Sequence, residues 1–121
     1  MRKNASMVVQ SISGHRGKSC YYVLTQAVTV AVLCMPSEPQ MKVICTEAGR
    51  LCGKSTAAVW KALSRALDDI WQCGDREALT RALGYSPQEK PSPRDLVLSL
   101  ACHLWCSEKD EKDEKDEKES P

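Results

Sequence analysis

The segment TEAGRLCGKSTAAVWKALSRAL, residues 46–67, fits two architectures with different chemistry. Ala48, four residues and then Gly53-Lys54-Ser55 satisfy the permissive form of a phosphate-binding loop, which would make the chain a nucleotide hydrolase. The same residues fit two helices joined by a tight turn. In that reading Thr46–Cys52 is the first helix, Gly53 marks the turn, and Ser55–Cys73 is the recognition helix of a helix-turn-helix.

A phosphate loop needs a strand before its glycines, a helix after them and a parallel sheet beneath both. Residues 41–45 read as a short, apolar, partly β-branched candidate strand. The other long apolar stretches, 20–34, 57–73, 75–83 and 93–106, have helical spacing or helical length. No apolar strand ends in an Asp to hold magnesium, and Ala48 stands where the stricter motif has Gly. The expectation is therefore an all-α domain of five to six helices, and not an enzyme.

The helix-turn-helix reading makes demands that the residues meet. Two helices crossing closely need small side chains, and Ala48 and Gly49 supply them. The turn needs a residue at ease with positive φ, and Gly53 is there. Ser55 or Thr56 can cap the second helix. Val59, Ala62, Leu63, Ala66, Leu67, Ile70 and Trp71 then recur at steps of three and four, the mark of one buried face. Gly74 is expected to end that helix as a C′ residue. The opposite face starts with Ala57, Trp60, Lys61, Ser64 and Arg65. Asp68 and Asp69 follow, so only the first half of the helix is expected to approach phosphate.

On these residues the chain resembles a known family, the C-terminal DNA-binding effector domain of the stage-zero sporulation response regulator of endospore-forming Firmicutes. The likeness is carried by AGRLCGKSTAAVWKAL, by DIWQCG, and by REALTRALGY running through a proline-containing loop into SPRDLVLSLACHLW. Upstream, HRGKSCYYVLTQAVTVAV resembles the family's opening helix, so the likeness covers residues 15–106. It implies a six-helix, winged-helix-like DNA-binding domain that binds a short box in double-stranded DNA, commonly as a tandem homodimer. It also implies a role in transcription regulation and sporulation. The family's recognition helix is rich in arginine and histidine, with a glutamate among them. Here it offers Lys61 and Arg65, and Ala58, Trp60 and Ser64 stand where polar or charged residues are expected. With about 15 residues ahead of the match, the family's receiver domain is not expected in this chain.

The expected DNA-contacting set is Lys54, Ser55, Thr56, Ala57, Trp60, Lys61, Ser64 and Arg65. Lys54, Lys61 and Arg65 bear on phosphates or guanine edges, Thr56 and Ser64 donate hydrogen bonds, and Ala57 meets a thymine methyl. Trp60 packs on sugar or on a second protomer, with a core position against residues 93–106 as the plainer alternative. The sparse basic residues of this face leave a second function open, an interaction module that kept the fold and lost DNA affinity.

Charge is unevenly spread. Residues 1–106 carry 13 Lys/Arg and 8 Asp/Glu, whereas residues 107–121 carry 4 and 8, so a net charge of +1 hides a basic body and an acidic tail. The tail repeats Glu-Lys-Asp three times from Glu108 and has nothing apolar to bury. It is expected to be disordered or frayed, although pairs such as Glu108–Lys112 can extend the last helix by a few turns.

The seven cysteines include no Cys-x-x-Cys pair. With an odd count and no signal peptide, they are expected to be free thiols buried as small apolar residues in a cytoplasmic protein. The tight cluster Cys102, His103 and Cys106 is poorly arranged for three-point ligation on a helix, because His103 points about 100° away from the other two. No metal, cofactor or small-molecule substrate is expected. Residues 20–34 are too short, and too interrupted by Thr25, Gln26 and Thr29, to span a bilayer. They are expected to be a buried first helix.

Residues 1–14 read as a flexible arm, although MVVQSI within it can pack locally. Asp75–Leu83 is a short helix closed by Gly84, with Tyr85 packing back on the body. Ser92, Pro93 and Asp95 start the last helix as N-cap, N1 and N3. With Phe absent, the core is expected to draw on Leu, Val, Ala, Ile, Cys and the three Trp.

Overall fold

Helix ends are set by local chemistry. Ser55 Oγ accepts the Ala58 N–H at 3.2 Å, Asp75 Oδ1 accepts that of Ala78 at 3.1 Å, and Ser92 Oγ accepts that of Asp95 at 3.1 Å. Each such cap is worth about 1 kcal/mol. Gly53 and Gly84 take left-handed φ of 68° and 85°, where a Cβ is penalised, and they close the helices before them. The computed structural model describes residues 5–15, 18–35, 37 and 39–119, the stretch 107–119 as backbone alone. Among these residues there are six helices and no strand: α1 (Ala5–Ile12), α2 (Ser19–Cys34), α3 (Met41–Cys52), α4 (Thr56–Cys73), α5 (Arg76–Leu83) and α6 (Pro93–Glu119).

The apolar stretch expected as a buried helix is α2, and it is the hub of the packing. It touches α1, α3, α4 and α6. Val23, Leu24, Ala27, Val28 and Ala31 on it are fully buried. Its β-branched residues have modest helix propensity, so neighbouring helices must hold it. Its polar interruptions are satisfied inside the helix: Thr25 and Thr29 return their hydroxyls to the carbonyls of Tyr21 and Thr25, at 2.9 and 2.8 Å.

Against this hub, α4 lays Val59, Leu63, Ala66, Leu67 and Ile70, with Ala62 and Trp71 half-buried at the margins, as the periodicity predicts. The α3–α4 crossing is close. Ala48 is fully buried, and a Cβ on Gly49 would stand 2.5 Å from the Lys54 carbonyl oxygen. The Lys54 N–H bonds the Gly49 carbonyl at 2.8 Å, which locks the turn. Among the described residues no helix is long and apolar enough to cross a membrane.

Several expectations are corrected. The first helix of the pair, expected over Thr46–Cys52, begins five residues earlier at Met41, so residues 41–45 are helical, as the all-α reading requires and the phosphate-loop alternative does not allow. The arm expected over 1–14 contains α1, whose Val8, Val9 and Ile12 are buried; its period-three and four valines and isoleucine carry that helix. None of the three Trp is fully buried, because α2 and α4 meet through smaller aliphatic side chains. Trp71 instead lies beneath the Arg76 guanidinium, 3.8 Å from its ring centre. Tyr85 is 49% exposed, not packed back. The tail is not among the corrections: its backbone continues α6 to Glu119, the helical extension that the sequence allowed. Residues 1–4, Arg16 and the Glu–Lys pairs expected in the tail lie outside the described residues and side chains.

Gly74 is a further correction. Its φ of −79° and ψ of 175° are open to any residue, so it is not a left-handed cap. It is required by proximity: a Cβ there would lie 2.3 Å from the Ile12 carbonyl oxygen and 2.6 Å from that of Ile70. Both are backbone atoms and cannot rotate away. Gly74→Ala should therefore destabilise the fold by roughly 1–3 kcal/mol, the range for overpacking. Gly53→Ala meets open space and carries only its left-handed penalty, about 1 kcal/mol. Urea denaturation of both variants checks the order, and a smaller loss for Gly74→Ala would refute the close-approach account.

Candidate nucleic-acid interface

The N-terminal half of α4 is an open surface. Lys54, Ser55, Ala57, Trp60, Lys61, Ser64 and Arg65 are exposed and Thr56 is half-exposed, so none of the eight expected residues is buried. They do not form one uniform face. Lys54, Lys61 and Arg65 line a cleft of about 570 Å³ between α4 and the start of α2, together with Lys18, Ser19 and the acids Asp68 and Asp69. Ala57, Trp60 and Ser64 lie outside that cleft. Trp60 is 37% exposed and is not the core residue of the plainer alternative.

The hydroxyls are partly committed. Ser55 Oγ is the cap acceptor, which leaves its hydrogen to donate. Thr56 Oγ1 lies 3.5 Å from Thr46 Oγ1 across the α3–α4 crossing. Helix spacing explains Lys61 and Arg65, four apart on α4, whereas Lys54 reaches the same cleft from the turn before the helix. Among the described residues no carboxylate pairs with any of the three. Arg50 on α3 differs, being bound to Glu47 at 3.0 Å.

The acids that follow on α4 are already engaged. Asp68 pairs with Lys90 at 2.6 Å. Asp69 makes four contacts with three residues, His15 and Lys18 of the α1–α2 link and Tyr21 of α2, and its side chain is only 9% exposed. Tyr21 donates its hydroxyl hydrogen to Asp69 Oδ2, and the His15 N–H reaches the same oxygen at 2.9 Å. His15 Nδ1 lies 2.6 Å from Oδ1 and Lys18 Nζ 3.5 Å from it. The Tyr21 oxygen in turn accepts the Gly14 N–H at 3.0 Å.

These bonds shift both acids. The Tyr21 hydroxyl, with help from His15, holds the Asp69 carboxyl down to about 2. Burial, reinforced by the carboxylate, pushes the Tyr21 hydroxyl well above its ordinary range. Thiols show the plain effect of burial: those of Cys20, Cys45 and Cys52 are pushed up by desolvation. The expectation of buried thiols holds for Cys20 and Cys45, whereas Cys73, Cys102 and Cys106 are exposed because they stand on outward faces.

Sequence reading missed Asp69 and Lys18. A signal for Asp69 existed: it is seven residues after Ala62, at the margin of the buried stripe, where a lone carboxylate requires partners. Its partners lie more than 45 residues away in the chain, and no local pattern names them. The chain matches no known protein-family model, and no curated protein matches it at a significant level.

The Asp69 bonds have a signed pH consequence. A carboxyl whose folded value is depressed contributes stability above its unfolded value, near 4, and loses it as pH falls through the folded value, here about 2. Asp69→Asn should therefore be less stable than the native chain at pH 7, and the gap should close between about pH 4 and pH 2. Thermal melts across that window test it. A gap that is constant with pH would mean the carboxylate charge is not the stabilising element.

Proposed function

We propose that this chain is a sequence-specific DNA-binding transcription regulator in which α3, the turn at 53–55 and α4 act as a helix-turn-helix. The reading rests on one observation above others: three cations, Lys54, Lys61 and Arg65, line the cleft at the open start of α4, and among the described residues none of them is paired with a carboxylate, while the two acids of the same cleft, Asp68 and Asp69, have other partners. The likeness of residues 15–106 to the sporulation regulator's effector domain supports the same reading. It suggests a cytoplasmic protein that binds double-stranded DNA, with a tandem homodimer as the expected arrangement.

In this mechanism α4 enters the major groove by its N-terminal half. Lys54 at the turn and Lys18 across the cleft reach flanking phosphates. Lys61 and Arg65, one helical turn apart, reach into the same groove, and Arg65 has the planar fork for the O6 and N7 of a guanine. Ala57, Trp60 and Ser64 present small, aromatic and hydroxyl contacts beside them. Asp68 and Asp69 repel the backbone less than their charges suggest, since Lys90 pairs with Asp68, and the Tyr21 hydroxyl and the His15 N–H donate to Asp69.

The test is selection of bound duplexes from a random oligonucleotide pool, followed by salt titrations on the enriched box. Lys54→Ala should weaken binding to every sequence and flatten the salt slope by about one unit. Arg65→Ala should cost on the order of 1–3 kcal/mol at a single base position and relax specificity there. No enriched box, or binding indifferent to both Lys61→Ala and Arg65→Ala, would replace this reading with that of a protein-interaction module. Micromolar ATP binding abolished by Lys54→Ala would replace it with a nucleotide enzyme.

A further inference from the structure

Three side chains with different donor atoms converge where the α1–α2 link crosses the end of α4. His15 offers Nδ1, Asp69 a carboxylate oxygen and Cys73 its Sγ, and these atoms all lie within 4.8 Å of one another. Asp69 and Cys73 are four apart on α4, so helix geometry stacks them on one face. His15 is brought to them by close backbone packing. A Cβ on Gly14 would stand 2.7 Å from Cys73 Cβ and 2.9 Å from the Asp69 carbonyl oxygen, so the link can lie this near only with Gly14. The donors that converge are therefore not Cys102, His103 and Cys106, the cluster that stands out in the sequence.

We propose that His15, Asp69 and Cys73 form a binding site for a borderline-soft divalent cation of the zinc class, with a fourth position open to water. One thiolate, one imidazole and one carboxylate are a donor set that zinc accepts at about 2.0–2.3 Å. Hard cations such as magnesium and calcium prefer oxygen alone and are disfavoured by this set. At such bond lengths tetrahedral ligand atoms stand roughly 3.2–3.8 Å apart. The 2.6 Å His15–Asp69 contact has to widen and the longest separation has to contract, each by about an ångström. Exposure of His15 and Cys73 allows this movement.

The carboxylate is prepared for the role. Tyr21 and the His15 N–H both bond to Oδ2, which orients Asp69 and leaves Oδ1 toward the ion. Lys18 Nζ lies 3.5 Å from Oδ1, and its side chain, 53% exposed, swings to solvent as the ion takes that oxygen. On binding, Cys73 loses its thiol proton to solvent and its sulfur joins the metal. His15 binds as the neutral imidazole through the Nδ1 lone pair, with its hydrogen on Nε2. No electron is transferred.

The full chain, reduced and stripped of metal, is titrated with Co2+ alone and followed by absorption. One equivalent should produce the visible bands of four-coordinate cobalt and a near-ultraviolet sulfur-to-cobalt band, and Zn2+ should bleach both. Cys73→Ser should abolish the sulfur band. His15→Ala should weaken binding by more than the roughly 10–100-fold that loss of an outer partner costs. The double variant Cys102→Ser, Cys106→Ser should bind as the native chain does. Cys73 and His15 are exposed, so their variants should keep the helical fold, which circular dichroism checks. The site is overturned if the native chain gives no bands, if they survive Cys73→Ser or ignore His15→Ala, or if the double variant removes them.

Discussion

The Asp69 carboxylate ties together parts of the chain that no helix contact alone would register. It stands near the end of α4 and takes hydrogen bonds from the α1–α2 link and from Tyr21 on α2. A half-buried carboxylate would be unfavourable here without them, because burial penalises its charged form. With them it is held ionised, and the link is pressed onto the last turn of α4. Gly14 and Gly74 are the steric counterpart of that attachment, since each leaves room for backbone where a side chain would collide. This corner adds a polar attachment to the apolar packing that seats α1 and joins α2 to α4.

The central element was legible because its determinants are local. A glycine in the turn, a serine cap and a repeat of apolar residues at steps of three and four specify α4 within one short window, and the structure places Gly53, Ser55 and Val59 to Ile70 accordingly. The cap at Ser92 and the closure at Gly84 were legible for the same reason. Residues 41–45 were ambiguous taken alone, since β-branched apolar residues over so short a run do not distinguish a strand from the first turn of a helix, and the helical spacing of the other apolar stretches decided the fold class. Gly74 was read correctly as an end but for the wrong cause. Its constraint is the Ile12 carbonyl, 62 residues earlier in the chain, and no local pattern reports it.

The candidate interface divides along the same line. Exposure of Lys61, Ser64 and Arg65 follows from the helical period, which sequence gives directly. The neutralisation of Asp68 does not, because Lys90 comes from the loop before α6. From sequence alone the two aspartates seemed to limit the basic face to half of the helix. In three dimensions each has a cation or a hydrogen-bond donor beside it, and the basic strip keeps its charge. Formal charge along a helix is thus a poor guide to its potential until the partners across the tertiary contacts are known.

Lys18 belongs to both sites. Its side chain lines the cleft with Lys54, Lys61 and Arg65, and its Nζ also lies 3.5 Å from Asp69 Oδ1. A divalent cation at Asp69 would take the oxygen that Lys18 now faces and would turn the ammonium toward the cleft. Positive charge is then added to the α4 face twice, by the released lysine and by the ion itself. Linkage requires the converse: an anion in the cleft that draws Lys18 away from Asp69 leaves Oδ1 better able to accept the cation. If both proposals hold, the two sites are coupled through a single side chain, and neither binding constant is independent of the other.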